Sequence, residues 1–479
     1  MREDVMREGG TLPPGWVWTT VGDLYHVLGG GTPSTEVADY WMGTIPWITS
    51  ADIHGLQDIR PRRHITDQAI QDSATTFVPA GSLIVVTRVA LGGVALAKFP
   101  LCFSQDSQAL IGDSSVVASD YALYYLSEAV QSFKHVSRGT TISGVTKRQL
   151  RELPFALPPL PEQRRIVAEI EKQFTRLDAG VTALKRVQAN LKRYRASVLK
   201  AACEGRLAPQ DPADEPADRL LVRILAEQRA KWQVEHPGKK YVEPAAPVTD
   251  GLPELPVGWC WARAEQLCDF ITKGTTPSAD KLFSGSGDVP FIKVYNLTDR
   301  GNLDFNVNPA FVSRQTHIGE LARSRVYPGD VLMNIVGPPL GKVSIVPDQH
   351  PEWNVNQAIA IFRPMPSYNR RFLCHCLLTE QMLAWAIRRA KATAGQFNLT
   401  LEICRDLPLP VPHLAEQHRI VAEVERRLSV VAELEATVAA NLARAGRLRQ
   451  AVLKRAFEGR LVAQNADDEP AEVLLARVR

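Results

Sequence analysis

The chain has 479 residues, 45% of them hydrophobic and 23% charged, with a net charge of +4 and a pI near 8.6. That length is too great for one hydrophobic core and calls for two or more domains, and the composition is that of an ordinary globular protein. No apolar run approaches the ~18–20 residues of a membrane helix, so no membrane-spanning helix is expected, and the mild basic excess is compatible with a nucleic-acid partner without implying one.

The first ten residues, MREDVMREGG, contain no apolar segment, so no signal peptide is expected. Seven scattered cysteines show no framework spacing and predict reduced thiols in a cytoplasmic protein.

A first globular block is predicted over 1–157. It opens on Leu12-Pro13-Pro14-Gly15-Trp16-Val17-Trp18 and continues through Gly31-Thr32-Pro33-Ser34 and Pro46-Trp47-Ile48. The run Ser82 to Thr87 reads as a strand, and a helix is expected at about 119–134.

Residues 158–207 then read as one long amphipathic helix. Ile166, Ile170, Phe174, Leu177, Val181, Leu184, Leu191 and Val198 recur at 3/4 spacing, with Gln188 and Arg195 completing the seam. Pro161 marks its start and Gly205 its end. Some 43 residues at 1.5 Å each span on the order of 65 Å.

Residues 208–250 change character. Pro209, Pro212 and Pro216 precede a charged helix from Arg219 to about Val234, and Pro244 to Pro247 follow. This predicts a tether carrying one surface helix.

The pattern then repeats. Residues 251–411 form a second block, with Leu255-Pro256-Val257-Gly258-Trp259-Cys260-Trp261 as its opening. Gly274-Thr275-Thr276-Pro277-Ser278 returns with one residue inserted, and Gln357-Ala358 is matched to Gln108-Ala109. A strand is expected over Asp330 to Ile335 and a helical stretch over 368–391. Residues 412–461 repeat the long helix, with Ile420, Val424, Leu428, Val431, Val438, Leu442 and Val452 on its seam, and 462–479 form a tail.

Glu162-Gln163 and Glu416-Gln417 stand 254 residues apart, as do the Glu-Gly-Arg-Leu words at 204–207 and 458–461. The tail word Asp214-Glu215-Pro216-Ala217 recurs as Asp468-Glu469-Pro470-Ala471. The expected fold is therefore two mixed α/β domains joined by two long helices in a coiled coil, a pseudo-two-fold internal repeat suited to a pseudo-symmetric partner such as duplex DNA. The loops between matched patches diverge, which predicts two different targets on one scaffold.

Signals for catalysis fail on inspection. Asn308-Pro309-Ala310-Phe311 resembles an amino-methyltransferase tetrapeptide, but its third residue is wrong and no glycine-rich cofactor loop precedes it. Gly337-Pro338-Pro339-Leu340-Gly341-Lys342-Val343-Ser344 imitates a phosphate-binding loop, one residue short and with Val343 where a hydroxyl would touch magnesium. His54, His64 and His135 lack partners at metal or triad spacing. Cys374-His375-Cys376 lies in an apolar stretch without a second ligand pair and reads as core. No cofactor, metal or catalytic residue is expected in this chain.

The architecture and its words resemble the specificity subunit of type I restriction–modification enzymes. The carrying residues are the two Leu-Pro-x-Gly-Trp-x-Trp openings, the helix starts Leu157 to Glu169 and Leu409 to Glu423, and the two Glu-Gly-Arg-Leu ends. One departure is Ala415 where the first copy has Pro161. The resemblance implies a non-catalytic, cytoplasmic, DNA-binding subunit. Each block would be a target-recognition domain reading one half of a split site in double-stranded DNA. The two long helices, running antiparallel in their coiled coil, would act as spacer and docking surface. Two methyltransferase subunits would carry S-adenosylmethionine, and two restriction subunits would use ATP and magnesium.

For DNA contact, basic side chains on divergent loops are the candidates: Arg62, Arg63, Arg88, Arg138 and Lys147 in the first block, and Lys273, Lys293, Arg314, Lys342 and Arg388 in the second. The plainer role of each is a solvated surface charge. The alternative to the whole reading is a helical docking scaffold without direct base readout.

Overall fold

The computed structural model describes residues 11–89, 91–131, 144–393 and 396–477. Arg138 and His135 lie outside the described residues, as does the end of the helix expected to reach 134.

The first domain is built from short strands closed by turns. Val17–Thr20 pairs antiparallel with Pro154–Leu157, so the Trp16-Val17-Trp18 opening is bound to the last strand before the long helix. Four antiparallel strands follow in the order Tyr25–Gly29, Ser107–Gly112, Leu83–Val86, Val94–Leu96. A mixed sheet holds Ile45–Ile48 parallel to Leu101–Phe103. Leu83, Ile84, Val85 and Val86 are all buried, as expected of a strand covered on both faces. The helix Ser119–Ala129 covers one side, with Tyr121, Leu123 and Leu126 inside.

The second domain repeats this plan. Cys260–Arg263 pairs with Pro408–Val411 as its counterpart did. Cys268–Lys273, Ile359–Pro364, Val331–Asn334 and Val343–Ile345 reproduce the four-stranded order and add Gly301–Asn302 at the edge. The helical stretch expected over 368–391 consists of two helices, Arg370–Leu377 and Glu380–Arg389. Thr379 breaks it by capping the second, accepting a hydrogen bond from the Met382 N–H.

The central helix runs from Leu160 to Cys203 and the distal helix from Leu414 to Phe457. The chain divides into two units, residues 1–185 with 439–479, and residues 186–438. Each unit therefore contains one domain, the beginning of its own long helix and the end of the other. In the first unit Ile166, Ile170 and Phe174 share a core with Val452, Leu453 and Ala456. In the second, Val198, Leu199 and Ala202 share one with Ile420, Val421 and Val424. The pairing is antiparallel: Arg449 meets Asp178 at 3.2 Å, and Arg195 meets Glu435 at 3.6 Å. The seam is deepest where a domain adds its own apolar surface. Leu177, Val181 and Leu184 are only half-buried, because there the helix has little but its partner to pack on.

The repeated words are fasteners. Gln163, fully buried, donates from its amide to the carbonyls of Val116 and Pro158 and accepts from the Ala118 N–H at 2.7 Å. Gln417 does the same with Pro412 and the Asn369 N–H. Glu416 accepts from the Trp259 indole at 3.0 Å, while Trp16 stands against Glu162. Arg165 pairs with Asp468 at 2.7 Å and Arg419 with Asp214, so each tail is clamped to the start of a long helix. Ala471 donates its N–H to the Gly15 carbonyl and Ala217 to that of Gly258, both at 2.9 Å. The linker helix, Ala217–Glu235, begins docked rather than free, with Ala217, Leu220 and Ile224 buried in the second unit's core.

Candidate nucleic-acid interface

The strand ladders align the two domains more closely than the words do. In the first domain the Gly31 N–H donates to the Phe103 carbonyl, and in the second the Thr275 N–H donates to that of Val355. Gly30 thus corresponds to Gly274, Thr32 to Thr276 and Pro33 to Pro277, and the insertion expected in the second copy disappears. Gly30 and Gly274 are crowded by the carbonyls of 103–104 and 355–356, so neither has room for a side chain. The same ladders set Gln105, not Gln108, opposite Gln357: Ala109 faces Ile84 as Ile361 faces Leu332. Register is set by hydrogen bonding across the sheet, which a local word match does not sense.

Around these turns a polar rim forms at one end of each sheet. In the first domain it can be traced by direct contacts. Lys147 opens the helix Lys147–Arg151, capped by Thr146. The neighbouring Val145 donates to the Thr87 carbonyl, and Arg88 bridges Gly144. Thr87 and Arg88 both donate their N–H groups to the Asp106 carbonyl. Next to it the exposed Gln105 accepts from the Thr32 hydroxyl at 2.5 Å. The following turn is held by indoles: Trp47 donates to the Gly31 carbonyl and Trp41 to that of Ser34. The Arg63 guanidinium lies 5.1 Å above the Trp41 ring. Beside it Arg62 is anchored to the buried Asp52 at 2.5 Å. Burial pushes the Asp52 carboxyl up, but the Thr49 N–H and Arg62 outweigh it and hold it below the usual carboxylate range. Val89 projects from the rim 73% exposed at φ +52°, a conformation that β-branched residues avoid.

The second domain builds the same rim with other side chains. Leu399 donates to the Ile335 carbonyl, Ile335 to that of Ala358, and the Gln357 N–H to the Thr276 hydroxyl at 3.2 Å. Arg323 donates to the Thr275 hydroxyl at 3.2 Å. Lys273 ends the adjoining strand, and Lys293 follows Ile292, whose carbonyl accepts from the Asn356 N–H. Lys342 closes a hairpin pinned by Asn334, whose amide bonds to the Pro339 carbonyl and to the Lys342 N–H. The glycine-rich stretch around it is thus a turn, not a phosphate loop. Asn308, at φ +45°, is likewise a turn residue leading into Ala310–Val312.

One predicted cation is engaged away from this rim, and another lies on a helix packed beside the Lys342 hairpin. Arg314 is drawn into a cluster with Glu352 at 2.8 Å, which also receives the buried His317. Arg388 lies on the last turn of Glu380–Arg389, the helix whose Leu383 abuts Gly341. Sequence reasoning missed Gln105, Gln357, Thr32, Thr276, Trp41 and Arg323. The repeated Thr-Pro-Ser was the available signal; the glutamines were hidden by the three-residue misregistration.

The charges do not coincide between copies. By register Arg63 corresponds to Ala310, Arg88 to Val336, Lys273 to Gly29 and Lys342 to Gly93. Thr146 and Thr400 are equivalent caps, which sets Lys147 against Leu401. One scaffold thus displays two different charge patterns. Among the described residues no cluster of three or more metal-ligating side chains occurs, and no helix is long and apolar enough to cross a membrane.

The chain is similar to the EcoBI type I restriction enzyme specificity subunit of Escherichia coli, 26% identical over 69% of this chain and 63% of that protein. The MjaIX specificity subunit of Methanocaldococcus jannaschii is 33% identical over 33% of this chain and 37% of its own length. The EcoDI specificity subunit of E. coli is 22% identical over 96% and 92%. Among solved structures, the HsdS subunit of Thermoanaerobacter tengcongensis superimposes with a TM-score of 0.51 at 21% identity, covering 95% of this chain and all of that one. A chain solved in work on complex assembly and conformational transition of a type I R-M system gives 0.64 at 22%, covering 94% of this chain and all of its own. These two likenesses concern the fold. The type I restriction modification DNA specificity domain matches twice, over residues 13–190 and 256–442, and with both repeats accounted for the chain belongs to that family.

Proposed function

We propose that the chain is the DNA-reading subunit of a type I restriction–modification complex and that each rim reads one half of a split site in double-stranded DNA. The observation that carries this reading is the doubled rim, with the same backbone turns and Thr–Gln pairs but with Arg63, Arg88, Lys147, Lys273 and Lys342 each matched by an uncharged residue in the other copy. A symmetric scaffold has no use for that divergence; two readers of two sequences require it. Arginine and lysine on the rim suit phosphate oxygens, which position the protein, and the exposed glutamine and threonine suit base edges, which specify it.

In this reading the paired helices space the half-sites and offer a docking surface for two methyltransferase subunits bearing S-adenosylmethionine. Two restriction subunits using ATP and magnesium complete the assembly. The chain itself performs no chemistry, and its site of action is the cytoplasm. Arg314, held by Glu352, is a weaker candidate for DNA than Lys273, Lys293, Arg323 or Lys342.

The test is an exchange of residues 12–157 for the same block of a relative, followed by mapping of methylated adenines in cells that also supply the methyltransferase subunit. One half of the recognised sequence should change and the other half and the gap should stay. A swap that changes both halves, or neither, overturns modular readout and favours a docking scaffold.

A further inference from the structure

The Sγ atoms of Cys203 and Cys376 lie 3.3 Å apart in the second unit. Cys203 is the last residue of the central helix, and Cys376 lies on the helix Arg370–Leu377 of the second domain. The two are 173 residues apart in sequence. Cys376 is fully buried, whereas Cys203 is half-buried.

The first unit shows what the equivalent position holds there. The amide of Gln163 caps Ala118 as that of Gln417 caps Asn369, so Tyr125 corresponds to Cys376. Phe457 ends the distal helix as Cys203 ends the central one. In the first unit this pair is an edge-to-face aromatic contact, 5.1 Å between centroids. Packing alone is thus served by two rings. The second unit replaces both rings with thiols, brought to within about 1.3 Å of the ~2.05 Å S–S bond length.

We propose that Cys203 and Cys376 are a redox modification site at which a peroxide forms a disulfide between the central helix and the second domain. Cys203, the less buried thiol, attacks the peroxide oxygen; the O–O bond breaks, the thiol proton leaves with the departing oxygen as one water, and Cys203 becomes a sulfenic acid. The Cys376 sulfur then attacks the Cys203 sulfur, the S–O bond breaks, and hydroxide departs with the Cys376 proton as a second water. Two thiols are oxidised by two electrons and one peroxide is reduced to two waters. The bond makes covalent a helix-to-domain contact that is only packed in the first unit, so oxidation stiffens one half of the molecule. The inference does not depend on DNA binding.

The full chain, treated with hydrogen peroxide, alkylated and digested under non-reducing conditions, should yield a Cys203–Cys376 linked peptide that dithiothreitol releases. The intact mass should fall by two hydrogens. Cys203→Ser should abolish the link and leave the untreated chain's urea midpoint unchanged, while the oxidised native chain should unfold at higher urea than the reduced one. Cys102, Cys260, Cys268, Cys374 and Cys404 are internal controls that should stay reduced. Oxidation of Cys203 to sulfinic acid with Cys376 still free, or linkage of Cys203 to any other thiol, overturns the proposal. Because Cys203→Ser keeps a small side chain at a half-buried site, the outcome does not hinge on whether a Cys376 variant folds.

Discussion

Four glycines of the long helices and their ends look interchangeable as letters and should respond with opposite signs to one added methyl. Gly205 and Gly459 sit just beyond the two helices at φ +65° and +66°. A Cβ at Gly205 would run into Cγ of Pro256 and meet the Trp259 ring at 3.1 Å; at Gly459 it would run into Pro13 and meet Trp16 at 3.3 Å. The left-handed conformation costs a non-glycine residue about 1–2 kcal/mol, and overpacking against a rigid proline ring adds about 1–3 kcal/mol. Gly205→Ala and Gly459→Ala should each destabilise their own unit by about 2–5 kcal/mol. Gly180 and Gly446 lie inside the helices, where an added methyl would meet nothing within 4 Å. There alanine removes backbone entropy from the unfolded chain, and each change should stabilise by ~0.5–1 kcal/mol. Urea unfolding of the four single variants of the full chain, followed by far-UV circular dichroism, measures all four. A neutral Gly205→Ala, or a destabilising Gly180→Ala, would refute the reasoning.

His375 supplies a pH test. Both its ring nitrogens are buried without a hydrogen-bond partner, and burial, with Arg371 adding repulsion, pushes it down to about 4. The unfolded imidazole gains its proton near 6.5, so this contribution is intact above that pH and is lost as pH falls through about 4, a loss of ~3 kcal/mol at 1.4 kcal/mol per unit. The stability of His375→Leu relative to the native chain should rise steadily between pH 6.5 and 4 in urea titrations; parallel curves would show that the histidine is not held neutral. The tail clamp gives a local test. Asp468→Ala leaves Arg165 without its partner and should lower the first unit's stability by about 1–3 kcal/mol, with the second unit's transition unmoved. An equal loss in both units would show that the clamp is not local.

Much of this protein was legible as sequence because its repeats are locally encoded. The helix seam announces itself through 3/4 spacing, and Ile166, Ile170, Ile420 and Val424 are indeed fully buried. The words Glu-Gln, Glu-Gly-Arg-Leu and Asp-Glu-Pro-Ala repeat because the same hydrogen bonds must be made twice, and a backbone contact such as Ala471 N–H to the Gly15 carbonyl tolerates little variation around it. What the words join was not legible. Asp468 reaching Arg165, or the end of each helix packing on the domain before or after it, links residues hundreds of positions apart, and no periodicity records that.

The rim was the least readable part. Its members come from separate turns, and only the strand ladders bring Thr32 to Gln105 and Thr276 to Gln357. Single cations looked alike in sequence, yet Arg314 is committed to Glu352 while Arg63 lies on Trp41 at the rim. The chain alone determined that there are two domains and two long helices, since local hydrophobic spacing and repeated contacts leave a local trace. Tertiary structure decided which residues stand opposite one another, because hydrogen-bond register across a sheet is a relation between distant segments, and charge is spent or free only according to what folding places beside it.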